Sequence, residues 1–323
     1  LCRGRSRRLC RKRGHGRVYL DFISDIHRLL SVRETRMLFY GDIILAHPEL
    51  IPELPRDATV IDWGYESPHP FDEETALFAA ADLEYLVCAG TSSWNSISGR
   101  WTNARENISR AARAALARGA GGLLIADWGD NGHLQQYPVA WPGLVYGAAM
   151  AWGVERNADC DMEAALAATF SSSGEELPGA AARESARAVL ELGDVYLAEP
   201  TRLHNGTLLA AAAIPALRPY YRDALAEAAV ADGEELDGAV ERLQSAAAGS
   251  LLREELAFTV DFLSYAAGIS RAADPDGEIV PATLPVERRM ELRLRIEELA
   301  ERFAALWSAR YRPGGLVTFG GNC

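Results

Sequence analysis

A single lysine, Lys12, serves the whole 323-residue chain, and the five cysteines fall at 2, 10, 88, 160 and 323. That scatter lacks the ligand spacing of a metal site and reads as a reduced, cytoplasmic chain. No apolar run approaches the roughly 18 residues needed to cross a bilayer, so no membrane span is expected. No apolar stretch follows the basic N-terminus, so no signal peptide is expected either. Basic residues are also scarce: 33 Lys and Arg against 45 Asp and Glu give a net charge of −12. An acidic body repels phosphate backbones, which excludes nonspecific nucleic-acid binding. Residues 1–17 differ, with eight Arg or Lys and no acid. They read as a disordered or frame-shifted tail rather than a nucleic-acid or membrane arm.

What is present is a hydrophobic fraction of 49%, enough for a substantial core. From 18 to 155, short apolar runs alternate with amphipathic segments. Strands are predicted at MLFYGD (37–42), ATVIDWGYE (58–66), EYLVCAG (84–90) and GGLLIADWGD (121–130). Helices are predicted at 18–32, 71–81, 103–119 and 143–153, the third closed by Gly119 as a left-handed C-cap. This alternation, with nearly continuous apolar strands, predicts a parallel α/β sheet. Beyond about 156 the segments 161–170, 176–199, 202–213, 220–247, 250–272 and 285–310 are rich in helix formers, which predicts an all-α domain over 156–323.

All four strands end alike: Tyr40-Gly41-Asp42, Trp63-Gly64-Tyr65-Glu66, Gly90 to Trp94-Asn95, and Asp127-Trp128-Gly129-Asp130. The C-terminal ends of parallel strands share one edge, where α/β proteins bind ligands. One Trp at a strand end is adequately explained as core. Four aromatics with acids, amides and glycines point to a sugar pocket, with rings stacking on C–H faces and polar groups meeting hydroxyls. Asp62 and Asp127 precede a strand-end Trp and, by alternation, point away from such a pocket. His133 reads as orienting its loop; His47 and His69, each before a proline, receive no role. No nucleophile elbow supports an α/β-hydrolase reading.

The strings VYLDFISDIH, YGDII, VIDWGYE, CAGTSSWNSISGR and ADWGDNGH resemble the second half of the barrel of glycoside hydrolase family 20, the β-N-acetylhexosaminidases. YRPGGL (311–316) is similar to the ending of members with a helical domain. The resemblance covers 17–155 well and 156–316 loosely. It implies a partial (β/α)8 TIM barrel, strands 5–8, followed by the helical domain, and an expected division into 1–17, 18–155 and 156–323. It also implies hydrolysis assisted by the substrate's own acetamido group, releasing terminal N-acetylglucosamine or N-acetylgalactosamine from glycans without cofactor or metal. By position, Trp128 would lie under the ring and Asp130 would meet its 4- or 6-hydroxyl. Trp63, with Tyr65 beside it, would wall the acetamido group; Tyr40, Asp42, Trp94 and Asn95 would complete the site.

The family's Asp-Glu catalytic pair belongs just upstream of residue 18, where this chain has its arginine-rich tail. Asp72-Glu73 instead opens a helix, as solvated first-turn acids do. Four strands cannot close an eight-stranded barrel. The expectation is therefore a fragment, inactive alone, with an open sheet edge prone to homo-oligomer formation. The alternative is a non-catalytic carbohydrate-binding or scaffold protein of the same fold.

Overall fold

The computed structural model describes residues 2–172, 179–229 and 250–320. The chain divides into two compact, interleaved units. Unit 1 holds Leu1–Gly90, Glu106–Ala126 and Gly147–Ala158; unit 2 holds Thr91–Arg105, Asp127–Tyr146 and Asp159–Cys323.

The basic tail departs from expectation. Residues Arg7–Arg13 form helix α1 ahead of α2 (His15–Ser31), and Cys2 is disulfide-bonded to Cys10. Arg, Leu and Lys are good helix formers, so high charge alone does not keep this stretch irregular. Nor is the chain uniformly reduced, although Cys88 and Cys160 are free.

Unit 1 is built on four parallel strands in sequential order: β1 (Leu38–Tyr40), β2 (Thr59–Trp63), β3 (Glu84–Gly90) and β4 (Leu123–Ala126). The helices α3 (Asp42–Leu45), α4 (Phe71–Ala80) and α5 (Trp101–Arg118) fall between successive strands. After β4 come α6 (Trp141–Trp152) and α7 (Val154–Asn157). The register sets Tyr40 opposite Ile61, Trp63 opposite Cys88, and Gly90 opposite Ala126.

Parallel strands that always step in one direction, joined by right-handed crossovers, carry their connecting helices on one face. Phe39, Val60, Asp62, Tyr85 and Val87 point to that face and are buried. There Phe78 of α4 meets Tyr85 at 5.9 Å between ring centroids. Gly147 lets α6 close on β4, since a Cβ there would come within 2.4 Å of Ile125. The opposite face exposes apolar side chains on the outer strands, Leu38, Tyr40 and Leu124 being 49%, 46% and 37% exposed, while Ile61 and Cys88 on its central strands are buried. The sheet is thus a small parallel α/β layer among the described residues, consistent with the partial α/β architecture expected, but a barrel is not shown.

Unit 2 takes the helix formers of the second half. Its helices include α8 (Met162–Ser172), α9 (Gly179–Gly193), α10 (Leu208–Ala213), α11 (Arg222–Ala229), α12 (Leu251–Ser270), α13 (Val286–Arg310) and α14 (Pro313–Gly320). The helix predicted over 220–247 is described only to 229, and the rest of it lies outside the described residues. Thr207 and Ser250 cap α10 and α12, each side-chain oxygen accepting an N–H three residues on. Between α12 and α13, Arg310 grips the fully buried Glu255 with two hydrogen bonds of 2.9 and 2.7 Å. No described helix is long and apolar enough to cross a membrane.

Candidate functional site

In unit 1, β1 ends at Tyr40 because Gly41 follows, pressed against the sheet. A Cβ there would come within 2.8 Å of Val60 and 3.2 Å of Phe78. The short helix α3 starts at once, leaving Asp42 exposed in its first turn. On β2, Trp63 shares the open face with Ile61, the register partner of Tyr40. Trp63 and Tyr65 lie 5.0 Å apart between ring centroids, tilted by 37° and both half-buried. Behind them, burial pushes the Cys88 thiol up to about 11, outweighing a hydrogen bond with Tyr65. A thiol so raised is an inert packing group. Two neighbouring strand ends therefore present two accessible aromatic surfaces and an exposed carboxylate.

The residues that follow β3 and β4 belong to unit 2. The stretch Thr91–Arg100 is buried throughout, so its polar groups must be satisfied internally. Trp94, 1% exposed, donates its indole N–H to Asn205 Oδ1 at 2.7 Å. Asn95 donates to the Asn205 carbonyl at 3.1 Å and accepts from Asn131 Nδ2 at 2.8 Å. Ser93 donates to Asp127 Oδ1 at 2.6 Å, and Thr91 donates to the same oxygen. The Trp94 ring is thus out of solvent contact with its N–H engaged. Asn95 is likewise spent on tying loops together.

Trp128 and Asp130 are presented differently. Trp128 is 41% exposed, Asp130 is exposed, and Gln135 donates to the Trp128 carbonyl at 3.1 Å. Asn131 and His133 adopt left-handed backbone with φ of 53° and 49°; Ser92 and Asn95 do so in the other loop, with φ of 54° and 51°. Such strain persists only where the surroundings fix it, and it concentrates at functional loops. His133 packs edge-on against Trp307 and Tyr311 at 6.2 and 5.8 Å between centroids. Burial lowers its pKa, against the pull of Asp127. It is a neutral loop anchor.

A third constellation lies on the helix-covered face of unit 1. Asp62, fully buried on β2, meets His69 and Glu74 with one ligand-type atom of each within 4.8 Å of the others. His69 Nε2 lies 2.9 Å from Glu74 Oε2. Burial foremost, then the neighbouring Glu74, pushes the Asp62 carboxyl well above the usual range. Burial would raise Glu74 too, but its polar interactions with His69 and Asp62 bring it below its ordinary value. Sequence reasoning passed over His69 and Glu74. The parity of β2 was the available signal, because it aims Asp62 at the helix whose first turn holds Glu74.

The structure thus brings Trp63 and Tyr65 together, sets Tyr40 and Asp42 at the adjacent strand end, exposes Trp128 and Asp130, and buries Trp94 and Asn95. A concavity of about 370 Å³ on unit 2 is lined by six consecutive residues, Pro219–Ala224, and contains none of these.

No family model and no curated protein matches the chain. Among solved structures it is similar to an enzyme of glycoside hydrolase family 138 that targets pectin rhamnogalacturonan II, with a TM-score of 0.41 and 11% identity over 86% of this chain. The chain spans 41% of the length of that protein. The family 20 reading does not stand. Family-level similarity is absent, and the structural likeness is to a different glycoside hydrolase family, too distant to bear on substrate or mechanism. The motifs behind the resemblance are short strings of Trp, Gly, Asp and Asn, which any parallel strand-end loop can use.

Proposed function

We propose that the protein engages carbohydrate at the C-terminal edge of its sheet, as a glycosidase-type α/β protein. The observation that carries this reading is the pairing of Tyr40, 46% exposed, with the Trp63–Tyr65 ring pair on adjacent parallel strands, beside exposed Asp42. Aromatic faces bind the C–H face of a pyranose, and a carboxylate accepts hydrogen bonds from its hydroxyls.

The test is tryptophan fluorescence titration with a panel of neutral, acetamido and uronic monosaccharides and their oligomers, together with a panel of nitrophenyl glycosides. Saturable binding, with Tyr40→Ala and Trp63→Ala each weakening it about three- to tenfold, supports the proposal, as an aromatic contact of about 0.5–1.5 kcal/mol requires. Hydrolysis of one glycoside identifies the catalytic form; binding without turnover identifies the non-catalytic one. Absence of saturable binding across the panel by folded protein, or binding indifferent to both substitutions, overturns the assignment.

A further inference from the structure

The Asp62, His69 and Glu74 cluster raises a question that the strand-end aromatics do not answer. Asp62 is 0% exposed, and neither of its carboxylate oxygens receives a hydrogen bond. The neighbour it faces is a second carboxylate, with an imidazole completing the group. Two carboxylates meeting out of water repel unless they share a proton or a cation lies between them. The basic side chain within the group is His69, whose imidazole pairs with Glu74 at 2.9 Å and makes no hydrogen bond to Asp62.

The surroundings hold the three groups in place. Asp62 sits on a central strand, paired with Val87 in the β2–β3 register. Glu74 is in the first turn of α4. His69 lies over Gly64, where a Cβ would come within 2.1 Å of its ring, and packs edge-on against Phe71 at 4.4 Å between centroids. Its backbone N–H donates to the Glu66 carbonyl at 3.0 Å, and its own carbonyl accepts from Phe71 at 3.0 Å. Glycine at 64 is therefore what admits an imidazole at this point. His69 and Glu74 are each about one-fifth exposed, which leaves a path from solvent to the buried carboxylate.

We propose that Asp62, His69 and Glu74 bind a divalent first-row transition ion of the zinc or manganese kind. One imidazole with two carboxylates is a donor set suited to such ions, whereas all-oxygen sets suit calcium and magnesium. Metal–ligand bonds of about 2.0–2.2 Å place donor atoms within about 4.4 Å of one another, so closure needs only small side-chain shifts. The ion would stitch β2, the 64–70 loop and α4 together directly behind Trp63 and Tyr65. It is a positioning device for those rings, and it stands whether or not they bind sugar.

The experiment is isothermal titration of the chelator-stripped full chain with zinc chloride and with manganese chloride, then cobalt(II) loading read by visible absorption. The expected result is one ion per chain for at least one metal. Affinity should fall at least about a hundredfold in His69→Asn and Asp62→Asn, and stay unchanged in Asp72→Asn on the exposed first turn of the same helix. Circular dichroism checks that each variant folds. If Asp62→Asn does not, Glu74→Gln and loss of the cobalt absorption bands in His69→Asn decide the matter. No binding by folded wild-type chain overturns the proposal and leaves a shared proton as the counter-charge. Binding indifferent to His69→Asn overturns it equally.

Discussion

Glu199 is 4% exposed, with its two oxygens accepting the N–H groups of Leu208 and Leu209 at 2.7 and 3.1 Å. Burial nevertheless dominates and pushes its carboxyl up to about 7, against those bonds and the pull of Arg202 and Arg100. The unfolded chain gives up this proton near 4.5, while the folded chain holds it longer. Stability is therefore full below about pH 4.5 and falls as pH rises through 7, by on the order of 3 kcal/mol. Urea denaturation from pH 4.5 to 8 should show this slope, and Glu199→Gln should flatten it. An unchanged slope in the variant assigns the titration elsewhere. At the same scale, Arg310→Ala leaves the Glu255 carboxylate buried without its bidentate partner. Destabilisation of about 3–5 kcal/mol in urea is expected, and a loss under 1 kcal/mol would show that water or another cation replaces the guanidinium.

Elements were the most legible scale. Continuous apolar runs gave away the strands: EYLVCAG was expected at 84–90 and the structure places β3 at Glu84–Gly90. The acids Asp72, Glu73 and Glu74 do open α4, as first-turn acids should. The same elements show where sequence falls silent. Trp94 and Trp128 follow strands in similar Gly-rich, polar company, yet one is sealed against Asn205 and the other stands in solvent. The deciding partner lies 111 residues away along the chain, beyond the reach of any local pattern. Likewise, strand parity sent Asp62 away from the open face, but only packing against α4 revealed what it meets. Sequence periodicity reports which side a residue faces, and tertiary contacts decide what waits there.

For the molecule as a whole, the exposed outer strands of the sheet have a direct physical cost. Leu38 and Leu124 stay 49% and 37% exposed on the two outermost strands, whose outer edges have no strand partner among the described residues. Exposed apolar edges template intermolecular pairing. Light scattering should therefore show concentration-dependent association, reduced in Leu38→Lys; equal scattering from both proteins would clear this edge of the effect.

The interleaving of the two units bears on how the protein can be cut. Thr91–Arg105 and Asp127–Tyr146 are encoded among the strands, yet they pack with residues after 159. A gene truncation near residue 158 would strand the 91–100 loop without Asn205, exposing an indole that is buried in the whole chain. Neither product would behave as an autonomous folding module, so swapping or expressing the halves separately should yield insoluble material, even though no single bond across the cut looks indispensable.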